Sequence, residues 1–150
     1  MKEDTILEKK DRSSVTTYLG FIQNNIARMA TNSANTKAFV AVVYTIYASV
    51  LAAIEVFEPY WWIGLIITAL GIVMDAYYLA FERMYRTKYN KFLNKLNKNI
   101  LDEAEIYNMN PKNTDLKYEV IAEMIDCVRS FSIWGFYFLF LVVTILLKFI

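Results

Sequence analysis

The chain has 150 residues, enough for about one domain, and 57% of them are hydrophobic, well above the roughly 45–50% of ordinary soluble chains. It has no His and a single Cys. That excludes zinc centres of the Cys/His type, haem ligation through His, Ser-His-Asp chemistry and an internal disulfide framework. Sixteen Lys and Arg against fifteen Asp and Glu leave a net charge of +1, too little to attract nucleic acid by bulk electrostatics.

In chain order, residues 1–14 are charged and polar and are expected to be loose. They belong to a cytoplasmic N-terminal segment of residues 1–37 that has no continuous apolar run, so no signal peptide is expected there. From about Ser14 to Ala34, Val15, Tyr18, Leu19, Ile22, Ile26, Met29 and Ala30 recur at spacings of three and four, which predicts an amphipathic helix. Such a helix either lies on the inner leaflet or packs on other cytoplasmic helices. Asn32, Ser33, Ala34, Asn35 and Thr36 then read as a break that caps the next helix.

Ala38 to Ile54 is free of charge, as are Pro59 to Met74 and Ser130 to Leu147, and Asp75 alone separates the second run from Ala76 to Phe81. A membrane-spanning helix needs roughly 17–25 mostly apolar residues. The sequence therefore predicts an all-α membrane protein with three transmembrane helices, at about 38–57, 60–81 and 130–150. Residues 38–81 form a hairpin whose connection, Glu55 to Trp62, holds two acids, an aromatic cluster and no Lys or Arg. Residues 1–37 hold six Lys and Arg and residues 82–130 hold nine. By the positive-inside rule the N-terminus is cytoplasmic and the C-terminus is outside, with Lys148 reaching back to the surface.

After the second span, Tyr77 to about Tyr107 contains no Gly or Pro, so span and stalk should be one helix of roughly 45 residues and ~70 Å. Asn108 to Asn113, with Pro111, reads as its turn. A return helix follows, capped by Asn113 or Thr114, whose Leu116, Val120, Ile121, Met124, Ile125 and Val128 form the facing stripe before it runs into the third span. Residues 82–129 are thus expected to form a cytoplasmic helical hairpin.

Asp75 is the outstanding residue for function. An ionisable group inside a span costs roughly 2.5–3.5 kcal/mol on insertion scales and turns toward the bundle interior or water. A structural ion pair or hydrogen bond is the preferred role, an ion path the alternative. Asp75, Glu82 and Tyr89 are seven apart, and Tyr78, Arg83, Tyr85 and Arg86 lie on or beside that face, so a polar strip is expected to run from the membrane onto the stalk. Glu82 and Arg86 also form an i,i+4 pair. Gln23, Arg28, Asn32 and Lys37 are the expected packing partners for the strip. Glu55 and Glu58 stand at the outer mouth, where they are solvated loop acids or, in an oligomer, a ring that attracts cations.

The remaining features point elsewhere. Ala48, Ala52 and Ala53, with Gly64, Thr68 and Gly71, permit close helix approach, read first as packing within the hairpin and second as self-association. Cys127 reads as an idle thiol in preference to an acylated one. With four Gly in all, no phosphate-cradling loop exists, and no nucleophile–base pair can be assembled, so no enzyme and no cofactor are expected.

Two stretches carry a resemblance. Gln23-x-x-Ile26-x-Arg28-Met29-Ala30-x-Asn32-Ser33-x-x-x-Lys37 and Asp75-Ala76-Tyr77-Tyr78-Leu79-x-x-Glu82-Arg83-x-x-Arg86-x-x-Tyr89 resemble segments of small bacterial polytopic membrane proteins. The likeness spans 67 residues, from Gln23 to Tyr89. The general layout is similar to the SLATT-type membrane effectors of anti-phage defence, which have two spans where this chain has three. This resemblance implies an oligomerising inner-membrane effector that permeabilises or depolarises the membrane in abortive infection, released by a soluble sensor or a nucleotide signal. Two other readings stand beside it: a small ion channel or transporter subunit using Asp75, and a membrane-anchored scaffold for a soluble partner.

Overall fold

In the computed structural model, residues 3–54, 60–98 and 116–149 are described, with side chains for 12–54, 60–98 and 118–149. All regular structure among them is helical, in four helices: α1 Glu3–Ile54, α2 Trp61–Asn97, α3 Leu116–Val128 and α4 Phe131–Leu147. Two of these, α1 and α2, are long and apolar enough to cross a membrane, and α3 with α4 makes up to a third.

The first departure from expectation is α1. It is one helix of 52 residues, ~78 Å long, with no break at Asn32–Thr36 and helical backbone from Glu3 onward. The expected break, and with it a separate helix ending near Ala34, is therefore corrected. Neither Gly nor Pro interrupts the chain between Phe21 and Ile54, and the polar residues that looked like caps are absorbed inside the helix. Thr36 donates its hydroxyl to the carbonyl of Asn32 at 2.9 Å, the back-bonding open to Ser and Thr in mid-helix. Ser33 finds a partner on α2.

The buried positions of α1, Tyr18, Ile22, Ser33, Thr36, Val40, Tyr44 and Leu51, fall on one helical face that lies along α2. Residues 15–26 accordingly pack on the stalk in line with the first span. Tyr18 and Ile22 bury against Phe92, with Tyr85 and Tyr89 alongside, and the Tyr18 and Phe92 rings are 4.9 Å apart.

α2 meets expectation over its described length, running unbroken from the first turn of the span to the stalk, 37 residues in all. The expected turn at 108–113 and the cap at Asn113 or Thr114 lie outside the described residues, as do Glu55 and Glu58.

The second departure is the return limb. α3 does not run smoothly into α4: the axes of 118–128 and 131–147 meet at 63° across Arg129 and Ser130. Ser130 adopts an extended backbone, φ −67° and ψ 140°, the geometry of a residue preceding a helix. The expected facing stripe is split by the same geometry. Val120 is buried and Met124 and Val128 pack inward, whereas Ile121 and Ile125 are exposed. Contacts between α3 and α2 gather around Ala80 and Arg83, through Cys127 and Glu123. The far stalk, at Phe92, is partnered by α1 as well, while α3 packs along α2 nearer the span.

α4 lies antiparallel to α2, because Tyr137 meets Gly71 and Thr144 meets Gly64. Those two glycines explain the close approach. A Cβ at Gly71 would stand 2.7 Å from Val40 Cγ2 and 2.8 Å from Tyr137 Cε1, and one at Gly64 would stand 2.9 Å from Thr144 Oγ1. The small residues of α2 thus serve packing within the chain, with α1 and α4 on either side. The outer surface is the reverse of a soluble protein's. Val42, Ile46, Val50, Ile66, Val73, Phe138, Leu139 and Leu146 are exposed, while Thr68, Asp75 and Thr144 are wholly buried. An apolar coat of this extent, around polar groups satisfied inside, suits lipid as the solvent.

Candidate functional site

Asp75 has no exposed surface. Its position follows from the packing already described, since Gly71 and Ala76 let α1 and α4 close over α2. Ser33 and Lys37 sit four residues apart on the buried face of α1, so both side chains reach the same point. Lys37 Nζ stands 2.6 Å from Asp75 Oδ2, and Ser33 donates its hydroxyl to Oδ1. Lys37 Nζ also donates to Ser33 Oγ at 3.1 Å, closing a three-membered ring of contacts. Oδ2 has the ammonium and no other partner among the described residues.

The cluster is neutral overall, which is what its setting requires. A lone carboxylate at this depth is unfavourable by several kcal/mol, and its cation and hydroxyl offset that. From Trp61 to Asp75 the helix rises ~21 Å, against a hydrocarbon core of ~30 Å. Asp75 therefore lies in the last third of a span that starts at Trp61, at the junction of span and stalk. Lys37 keeps 19% of its side chain exposed, as a long stem reaching toward the polar boundary would.

Further buried polar contacts run along the core from this point. Tyr137 donates to the carbonyl of Gly71 at 3.0 Å, one turn from Asp75. Tyr44 and Thr144 pair at 2.6 Å, with Thr144 also donating to the carbonyl of Phe140 at 2.8 Å. Thr68 bonds back to Gly64 at 2.8 Å, and nearer the surface Tyr47 reaches the carbonyl of Tyr60 at 3.1 Å. Each span is thus tied to a neighbour by hydroxyl contacts in addition to shape.

The predicted strip is brought together only in part. Asp75 and Tyr89 face α1, and Gln23 donates to the Tyr89 hydroxyl at 2.9 Å. Glu82 pairs with Arg86 at 2.8 Å along α2 itself. Arg83 turns to α3, where Glu123 lies at 4.0 Å, so the strip divides between two neighbours. Of the four expected partners, Lys37 and Gln23 reach it. Arg28 does not: its guanidinium bonds Asn25 at 3.1 Å on α1's own exposed surface. Asn32 and Tyr78 face a shared groove between α1 and α2.

Tyr44, Tyr137 and Thr144 escape the sequence reading, which takes Ser33 for part of a cap. The signal was present in Ser33 and Lys37 at i,i+4, and in Tyr137 and Thr144 seven apart within an apolar span. Cys127 is fully buried, and burial pushes its thiol up to about 11, which suits an idle thiol. No cluster of three or more His, Cys, Asp or Glu suited to a metal occurs among the described residues. No protein-family model matches the chain, and neither a curated protein nor a solved structure matches it.

Proposed function

We propose that this chain is a non-enzymatic, multi-pass effector of the bacterial inner membrane that oligomerises and permeabilises or depolarises it, in anti-phage defence of the abortive-infection kind. In this reading three helices span the membrane, at 38–54, 61–81 and 131–147, with the N-terminus and stalk inside and the C-terminus outside. The trigger is a soluble sensor or nucleotide-signal partner that engages the stalk; the lipid bilayer and further copies of the chain are the other partners.

One observation carries the reading. α1 and α2 each continue without a break from stalk into span, and the buried Lys37–Asp75 pair clamps them where the two regions meet. A rigid helix transmits a displacement at one end to the other, so a partner that moves the stalk also moves the spans. A resident ion path through Asp75 is less favoured, because its carboxylate is ion-paired and shut off from water. The scaffold reading has support of its own in Tyr118, Ile121 and Ile125, exposed on α3 outside the spans.

The test is membrane potential, followed with a voltage-sensitive dye in bacteria expressing the chain from a tightly inducible promoter beside an unrelated membrane protein at matched level. Depolarisation by this chain alone, before growth stops, is expected. Lys37→Met, which releases the clamp, should change its onset. An unchanged potential in both wild type and Lys37→Met overturns spontaneous permeabilisation and leaves an effector that acts only with its trigger, or a scaffold. Loss of flux in Asp75→Asn with assembly and onset otherwise intact would favour an ion path.

A further inference from the structure

α1 and α2 part on one side of the Lys37–Asp75 cluster to leave a cavity of about 370 Å³, within the size range of small-molecule sites. Its two ends differ in chemistry. Asn32, Asn35 and Tyr78 line the end nearest the stalk, whereas Val43, Ile67 and Leu70 make the other end wholly apolar. From Ile67 to Tyr78, α2 rises ~17 Å. That is about half of a ~30 Å hydrocarbon core, the depth of a single leaflet. The groove opens sideways into the lipid-facing surface, since Phe39, Leu70 and Met74 both line it and stand 67%, 61% and 50% exposed. Arg28 lies one turn from Asn32, at i,i+4, on the exposed side of α1.

We infer that this groove is a binding site for one phospholipid with an anionic headgroup, taken from the leaflet that borders the stalk. Its acyl chain lies against Val43, Ile67 and Leu70. Its phosphate sits at Asn32 and Asn35, where the two amides donate hydrogen bonds and Arg28, exchanging its bond to Asn25 for the phosphate, supplies the cation. A helix from a second copy would suit the apolar end but would set its own apolar side chains against the amides, so the polar end favours an amphiphile. The inference requires only that the chain be embedded in a bilayer, and it stands or falls apart from depolarisation.

The experiment uses the full chain reconstituted in vesicles of mixed phosphatidylglycerol and phosphatidylcholine, extracted in mild detergent and weighed by native mass spectrometry. One phosphatidylglycerol retained per chain is the expected result. Leu70→Trp and Met74→Trp fill the groove from positions already exposed, and each should weaken retention about tenfold. Protection of Cys127 from a thiol reagent shows that these variants are folded. Arg28→Ala should leave a lipid bound but remove the preference for phosphatidylglycerol. Equal lipid counts in wild type and both tryptophan variants would mean that only the general lipid coat was weighed, and would overturn the proposal. So would a tryptophan variant that changes the number of chains in the assembly and not the lipid count, which would assign the groove to a second copy.

Discussion

Replacing Lys37 with Met removes the ammonium and keeps most of the side chain's volume, leaving Asp75 with Ser33 alone. At 2.6 Å and an effective dielectric of about 20, the lost Coulomb attraction is ~6 kcal/mol. Desolvation of the ammonium, no longer required, returns part of that, and removal of one partner of a buried pair generally costs about 3–5 kcal/mol. Lys37 retains 19% exposure, so the low end applies, about 3 kcal/mol. The double variant Lys37→Met/Asp75→Leu removes both charges and should lie within about 1 kcal/mol of wild type, since Ser33 can turn its hydroxyl to the carbonyl four residues back. Thermal unfolding in detergent can be followed with a thiol-reactive fluorophore, because Cys127 is buried and is the one Cys in the chain. At ~2–4 °C per kcal/mol for a chain of this size, the single variant should melt ~6–12 °C below wild type and the double variant near it. A double variant as unstable as the sum of Lys37→Met and Asp75→Leu measured singly would mean additive sites, and would refute the view that the pair acts as a unit.

Three further outcomes are expected. Gly71→Val places methyl groups against Val40 and Tyr137 and should destabilise by ~1–3 kcal/mol, whereas Gly20→Ala, with nothing within 4 Å of the new Cβ, should stabilise by up to ~1 kcal/mol through helix propensity; thermal unfolding distinguishes the two. Ile22→Ala should remove ~2–5 kcal/mol of packing against Phe92 and raise hydrogen exchange in residues 12–30 while the spans stay protected, and uniform exchange along α1 would show that the stalk is not held by that contact. Because the Cys127 thiol is pushed up from 9.0 to about 11 in the fold, its contribution to stability is complete below pH 9 and is lost as pH rises through about 11. The melting difference between wild type and Cys127→Ala, followed by circular dichroism, should therefore shrink over that window, and a constant difference would sink the assignment.

Charge-free runs are visible in a sequence because a single Lys or Glu ends them, and the apolar stretches of α1 and α2 could be placed on that basis. Asp75 was visible for the same reason, as an exception within such a run, and Lys37 could be named as a candidate partner. Ser33 could not be read correctly. Asn, Ser, Asn and Thr in close succession favour a helix boundary by local propensity, and only a partner on another helix makes continuation the better state. The bend at Arg129 and Ser130 has no Gly or Pro to announce it. The apolar stripe of α3 is wider than the surface α2 offers, so nothing local to it says which half faces inward.

The two unbroken helices and the one break have opposite mechanical consequences. α1 and α2 are held together at both ends of the junction, by Tyr18 and Ile22 on Phe92 in the stalk and by Ser33 and Lys37 on Asp75 below it. A displacement of one therefore carries the other, and the pair moves as a lever. α4 hangs on α3 through two residues of non-helical chain and meets α2 at Gly64 and Gly71, where there is no side chain to interlock. α4 is held to α2 by Tyr137 on the Gly71 carbonyl and to α1 by the Tyr44–Thr144 pair, hydroxyl contacts against the ion pair and aromatic packing that join α1 to α2. A change imposed on the stalk would for that reason appear first as a shift of α4 against the α1/α2 pair, with the Lys37–Asp75 pair preserved through it.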